Sequence, residues 1–365
     1  MKKILIGLIM DGKAGGVDKY ILDFYKEVHG VYAQVDFLTS GYTEELAAML
    51  KQNGSQLAVC PRFTDPVGQY RTLLRLVAEN GYDAVYFNYS TAIGWAAVKG
   101  ARDGGAQKVI VHSHNNGFCD NSRIKQFLFI CLHYFSRPFL RRYATDLLSC
   151  SDAAALWMFG GKALKNHRVT YIKNEVDSRA FAPSAEKRQF FREKYHVEDA
   201  FVIGHVGTML KAKNQLFLIR LLPEIKRQIS NAKLFLVGEG ETKEKLITYA
   251  QKIGVSDDVV FAGYVNSSEG IMNAFDVFCL PSYIEGYPYV AVEAQILGLP
   301  CILSKQVTEQ VDCTDRCTHL SIREPKLWVK QLVAERDKNG RVPQITESKD
   351  SCAFMTRVEY IAELC

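Results

Sequence analysis

Short apolar segments rich in β-branched residues recur along this chain, separated by helix-length amphipathic stretches, and midway the series begins again. In the first half they lie at residues 4–10, 31–38, 56–60, 83–88, 108–111, 146–150 and 169–172. Apolar runs of this length suit strands covered on both faces, as in parallel sheets. Between the first two, residues 16–29 bring Val17, Tyr20, Ile21, Phe24, Tyr25 and Val28 onto one helical face. The second series has strand-like segments at 201–206, 233–237, 259–262, 277–280 and 301–304, with helical stretches at 214–229, 242–253 and 289–297.

Parallel strands need crossover connections, and helices supply them. The predicted fold is therefore α/β: two Rossmann-like domains facing each other across a cleft. The joint falls within the polar stretch 174–199, which contains Pro183 and Ser184. A last helix, residues 352–364, follows the polar loop 339–350. Domain limits are set at 1–175, 176–345 and, for the returning helix, 346–365. The length of 365 residues suits two cores. No apolar run reaches the ~18 residues of a membrane span. The ten cysteines lie mostly in apolar segments without the spacing of a disulfide scaffold, which points to a reducing, cytoplasmic setting. Cys313, Cys317 and His319 form a Cys-x3-Cys-x-His run with no second half-site, so no metal site is predicted.

Net charge is +5, divided as +7 over residues 1–173 and −2 over 174–365. The sharpest basic excess is 121–145, where Arg123, Lys125, Arg137, Arg141 and Arg142 alternate with six aromatic residues and no acid. That composition suits an anionic membrane surface, and equally a buried helix with solvated basic ends. Pro138 is expected to break the segment.

Loops at the carboxyl ends of parallel strands carry ligands in such folds. Gly15-Gly16 opens a helix, where backbone amides can approach a phosphate, but the Gly-x-Gly-x-x-Gly spacing of a dinucleotide fold is missing. Val111-His112-Ser113-His114-Asn115 ends a strand with two histidines on one side. Gly207-Thr208 leads to Lys213, a cation near a helix start. Gly238 and Gly240 form another strand-to-helix glycine turn. Glu285 sits in the Gly/Pro loop after residues 277–280, and Glu293 in an otherwise apolar helix start. Buried carboxylates require donors, and sugar hydroxyls are good ones.

Together these residues resemble the retaining glycosyltransferases of family 4, in the bacterial capsular and exopolysaccharide branch. The likeness runs through Gly15-Gly16, His112-Ser113-His114-Asn115, Cys150-Ser151-Asp152 to Gly160, Gly204-His205-Val206-Gly207, Lys213-Asn214 and Phe261-Ala262-Gly263-Tyr264. It ends in Pro281-Ser282, Glu285-Gly286-Tyr287, Glu293-Ala294-Gln295 and Gly298-Leu299-Pro300. The resemblance implies the GT-B fold, with the acceptor in the first domain, the nucleotide sugar in the second, and the last helix crossing back. It assigns catalytic roles to His114, Glu285 and Lys213. The donor would meet Gly16, Gly207, Thr208, Lys213, Gly263, Glu285, Gly286, Tyr287 and Glu293, with Glu293 on the ribose. Gly15, His112 and Asn115 would serve the acceptor side.

It also implies transfer of a hexose or N-acetylhexosamine from a nucleotide-diphosphate sugar, UDP foremost, to a lipid-linked saccharide. No metal and no cofactor is expected, Asp-x-Asp being absent. The protein would be cytoplasmic and peripheral at the inner membrane face, with no nucleic-acid partner. Two departures stand out: Thr208 replaces an arginine, and Glu175 a glycine in Asn174-Glu175-Val176-Asp177. Thr208 keeps open a second reading, a weak or silent nucleotide-sugar-binding subunit that partners an active transferase.

Overall fold

A computed structural model describes residues 1–9, 15–120, 122–172, 174, 176, 178–265, 268–338 and 356–364. The chain divides into two compact units. The first comprises Met1–Phe118, Ser122–Asn174 and Ala353–Cys365; the second comprises Cys119–Asn121 and Glu175–Cys352.

The first unit holds seven parallel strands: β1 (Lys2–Ile9), β2 (Ala33–Thr39), β3 (Leu57–Val59), β4 (Ala84–Tyr89), β5 (Lys108–Ser113), β6 (Asp146–Ser149) and β7 (Val169–Tyr171). Their order is β3-β2-β1-β4-β5-β6-β7. The second unit holds β8 (Phe201–Val206), β9 (Ala232–Val237), β10 (Val259–Gly263), β11 (Val277–Leu280), β12 (Cys301–Ser304) and β13 (Cys317–Leu320), ordered β10-β9-β8-β11-β12-β13. In each sheet the winding reverses once, between β1 and β4 and between β8 and β11. At such a reversal the flanking crossovers leave in opposite directions and open a crevice above the strand ends. β4, β8, β11 and β12 are buried at every position, as the uninterrupted apolar runs require.

The helix Gly16–Val28 buries Tyr20, Ile21, Phe24, Tyr25 and Val28, the face expected from its spacing. The last helix, Arg357–Leu364, packs against it and buries Tyr360 and Ile361; residues 352–355 lie outside the described set.

One expectation is corrected, and two elements appear that the sequence reading did not contain. Pro138 does not break its segment, and one helix runs over Arg123–Tyr143. Its C-terminal part is held by Trp95 packing on Phe139 and Tyr143, and by Arg141 donating to the Phe159 carbonyl at 2.8 Å. The polar stretch read as a joint contains the helix Ala185–Lys194. That helix is fastened by Arg188 and Arg192 to Asp276 rather than by an apolar face. β13 was not foreseen, because Cys-Thr-His-Leu is too mixed a run to read as a buried strand.

Candidate functional site

In the first unit, parallel pairing sets Asn88 beside His112 and Tyr89 beside Ser113 at the carboxyl ends of β4 and β5. His112 and His114 emerge on one side, their ring centres 4.0 Å apart. The Asn88 amide donates to the Gly7 carbonyl at 3.0 Å, so its Oδ1 faces His114 and accepts from Nε2 at 2.8 Å. His114 therefore carries its proton on Nε2 and keeps a lone pair on Nδ1. Burial pushes its pKa down to about 3, so the ring stays neutral at physiological pH.

Behind it, His112 Nδ1 meets the Tyr86 hydroxyl at 2.9 Å, which in turn meets that of Tyr20 at 2.8 Å. Tyr20 lies in the second turn of the helix that Gly16 begins, and its ring centre is 4.9 Å from both histidines. Gly15 precedes the first helical residue in an extended conformation. Asn115 is half-buried in the loop beyond His114. The rest of the glycine loop, Met10 to Ala14, lies outside the described residues, as do Glu175 and Asp177.

In the second unit, the ends of β8, β9 and β10 are laced together by backbone bonds. Gly207 N–H donates to Val237 O at 2.9 Å, Met209 N–H to Glu239 O at 2.7 Å, and Gly238 N–H to Gly263 O at 2.8 Å. The lacing requires glycine at 238, where φ is +133° and a Cβ would stand 2.3 Å from the Gly207 carbonyl oxygen. Gly238→Ala is expected to cost about 2–4 kcal/mol through overpacking and backbone strain. Urea denaturation read in the second unit checks this; a loss below about 0.5 kcal/mol would show that the turns separate freely.

Across the β8/β11 reversal, Lys213 Nζ lies 2.7 Å from Glu285 Oε1, and the Ser282 hydroxyl donates to the same oxygen at 2.6 Å. Two further bonds hold the loops in place: Tyr283 N–H to Ala212 O at 2.7 Å, and Asn214 Nδ2 to Pro281 O at 3.0 Å. Asn214, at φ +56°, turns the chain from the short 3₁₀ segment Lys211–Lys213 into the helix Gln215–Gln228. Glu285 is buried, as are Gly286 and Tyr287. Glu293 is buried on the helix Tyr289–Ile296 and accepts from the Ser268 hydroxyl at 3.0 Å. Thr208 is exposed and brings no charge. Lys211, two residues before Lys213, donates to the Asp120 carbonyl.

Sequence reasoning gave no role to His205, the penultimate residue of β8. Its ring is fully buried, and Nδ1–H donates to Cys279 O at 2.9 Å. Nε2 has no hydrogen-bond partner among the described residues and lies beside Gly207 and the Lys213 stem. Burial first, and the Lys213 charge, push its pKa down to about 4 against the Cys279 bond. Asn88 and Ser268 were missed as well, and Ser282 was named in the resemblance without a role. Cys317 pairs with Cys301 across β12 and β13, and His319 meets Asp312 at 3.0 Å. Among the described residues no group of three metal-ligating side chains occurs.

The second-unit cluster thus offers one cation, Lys213, and two buried carboxylates, Glu285 and Glu293, at the strand-to-helix turns. Such a set can hold a diphosphate and hydroxyl-bearing rings at once.

A family model described as glycosyl transferase 4-like domain matches residues 15–175, and one described as glycosyl transferases group 1 matches residues 186–312. EpsF of Bacillus subtilis (strain 168), a protein named as a glycosyltransferase, is 29% identical over 346 residues, 91% of this chain and 87% of EpsF. An Escherichia coli UDP-Gal:alpha-D-GlcNAc-diphosphoundecaprenol alpha-1,3-galactosyltransferase is 32% identical over 141 residues, 38% of this chain and 36% of that enzyme. Among solved structures, Anabaena HepE in complex with UDP and glucose superposes with a TM-score of 0.73 at 18% identity, covering 93% of this chain and 91% of HepE. The two parallel sheets and this likeness identify the fold as GT-B. With one model on each half and the strand-end motifs in family order, the chain belongs to the group 1 glycosyltransferases with a 4-like N-terminal domain, the family 4 enzymes that its sequence resembles.

Proposed function

We propose that the protein is a retaining, metal-independent hexosyl- or N-acetylhexosaminyltransferase that takes its sugar from a UDP-sugar and delivers it to a lipid-linked saccharide in capsule or exopolysaccharide synthesis. The observation that carries this reading is the Lys213–Glu285–Ser282 cluster across the β8/β11 reversal. The E. coli relative's name, with its UDP-Gal donor and diphosphoundecaprenol acceptor, and HepE's UDP and glucose support the choice of substrates.

In this reading Lys213 holds the diphosphate, Glu293 accepts from the ribose hydroxyls, and Glu285 accepts from a donor-sugar hydroxyl. His114 presents its Nδ1 lone pair to a sugar hydroxyl. The acceptor oxygen bonds to the anomeric carbon on the face from which the diphosphate departs. The acceptor's proton passes to the departing phosphate oxygen. Negative charge grows on that phosphate, and preorganised donors there lower the barrier because they need not reorient. The acceptor's lipid anchor places the protein at the cytoplasmic membrane face.

The test is release of free nucleotide from a panel of UDP-, GDP- and ADP-sugars in the presence of EDTA, with and without a diphosphoundecaprenyl saccharide. Release from a UDP-sugar that the acceptor accelerates is expected; no release with any donor or acceptor would overturn the reading. Glu293→Ala is expected to weaken UDP binding about 10- to 100-fold, the worth of a hydrogen bond to a charged group. Titration calorimetry reads this, and unchanged affinity would remove Glu293 from the nucleotide site.

A second reading, nucleotide-sugar binding without turnover, is favoured by one observation: Thr208 is neutral, while Lys211 and Lys213 are each engaged by an oxygen of the protein. Tight UDP binding without release, with turnover gained in Thr208→Arg, would establish it.

A further inference from the structure

The helix Arg123–Tyr143 has two opposite faces. His133, Ser136 and Leu140 are buried against the first unit. His133 anchors that side, accepting from the Ala92 N–H at 3.1 Å and donating to the Trp157 carbonyl at 3.0 Å. Half a turn away, Ile124, Phe127, Leu128, Cys131, Leu132 and Phe135 are exposed at i, i+3, i+4, i+7, i+8 and i+11. That spacing draws a continuous apolar stripe along a helix of 3.6 residues per turn. Ile124 is 73% exposed, Phe127 66% and Phe135 65%, far more than single surface apolar residues need explaining.

The stripe runs into Pro138 and Arg142 at the helix end. These two, with Arg141, Lys162, Asn166 and Arg168, line a cavity of about 360 Å³ that contains no acid. The helix itself carries no Asp or Glu in 21 residues. It is not long and apolar enough to cross a bilayer.

We infer that this face lies in the surface of an anionic phospholipid bilayer, the stripe entering the acyl boundary and the basic cavity taking a lipid headgroup phosphate. Uniform positive charge beside the stripe selects this occupant. A second copy of the chain would bring the same cations against each other, whereas anionic lipid neutralises them. The inference deepens the lipid-linked acceptor reading by naming the face that meets the membrane, yet it needs no sugar substrate to be tested.

The test is sedimentation of the full chain with vesicles of phosphatidylcholine alone and of equimolar phosphatidylcholine and phosphatidylglycerol. Binding is expected only to the second, weakening as salt rises. Phe127→Glu is expected to lower partitioning at least tenfold. The triple variant Arg142→Gln, Lys162→Gln, Arg168→Gln should lower it about 100-fold, each basic residue near such a surface being worth roughly fivefold. UDP affinity should be unchanged in both variants, which separates failure of docking from failure of the donor site. Equal binding to neutral vesicles, no binding to either, or a dimer that Phe127→Glu dissociates would each overturn the inference.

Discussion

Glu285→Gln is expected to lower kcat by about 10²–10³-fold while UDP affinity stays within about threefold. The side chain is 6% exposed and accepts from both Lys213 and Ser282 through Oε1. Glutamine keeps that volume and a carbonyl oxygen at the same place, so both donors retain an acceptor and the loop stays folded. What disappears is the charge. A carboxylate binds a sugar hydroxyl roughly twice as strongly as an amide does, and in the proposed reaction that hydroxyl belongs to the donor sugar.

UDP alone has no transferred sugar, so its affinity reports the rest of the site. Steady-state kinetics with donor and acceptor, beside calorimetry with UDP, make the comparison. A collapse of UDP affinity in parallel with kcat would make Glu285 a scaffold for the nucleotide loop. An unchanged kcat would take it out of the reaction. Glu285→Ala is the poorer probe, since it removes the oxygen that accepts from both Lys213 and Ser282 as well as the charge, and empties a buried volume.

The legible features were those whose physics is local. Strands buried on both faces must be apolar along their length, so β8, β11 and β12 coincide with the segments expected from the sequence. Glu285 and Glu293 stood out because a carboxylate among apolar neighbours requires a reason. The polar helix Ala185–Lys194 escaped because its anchor is non-local. Arg192 donates to the carbonyls of Ala274, Glu198 and Ala200, and its cation meets Asp276 from 84 positions away.

The same limit hid the partners of the site. Asn88 orients His114 across 26 residues, and Ser268 reaches Glu293 across 25; no spacing rule joins such pairs. Pro138 misled in the other direction. The missing N–H is a local penalty, and packing by Trp95, Phe139 and Tyr143 outweighs it.

Stability of the first unit is expected to fall steeply between pH 6.5 and 4.5, by about 3 kcal/mol per pH unit, and that of the second unit more gently. Burial holds His114 down to about 3, while His133 is held at about 4 by burial, with Arg137 adding and the Trp157 bond opposing. Both belong to the first unit. Their unfolded counterparts take up protons below pH 6.5, the ordinary histidine value. The unfolded state then binds more protons than the folded one, so folding free energy is lost as pH falls through this window. Each histidine contributes about 1.4 kcal/mol per pH unit there.

The second unit has His205, likewise lowered to about 4, but also His319, which moves the other way. Burial pulls its pKa down, yet the hydrogen bond and charge of Asp312 carry it above the ordinary value. A raised histidine contributes stability that is complete below its unfolded pKa and lost on the alkaline side, so between pH 6.5 and 4.5 His319 adds no slope, and His205 alone makes the second unit's decline about half as steep.

The units can be read separately. Trp95 and Trp157 lie in the first and Trp328 in the second, so Trp328→Phe leaves fluorescence that follows the first unit alone. Urea denaturation at pH 7, 6 and 5 should show its midpoint dropping with each step. His114→Gln, whose amide can still donate to Asn88, should halve that slope. A midpoint independent of pH in this range would mean that solvent reaches both rings and that the first unit is not sealed around its histidines.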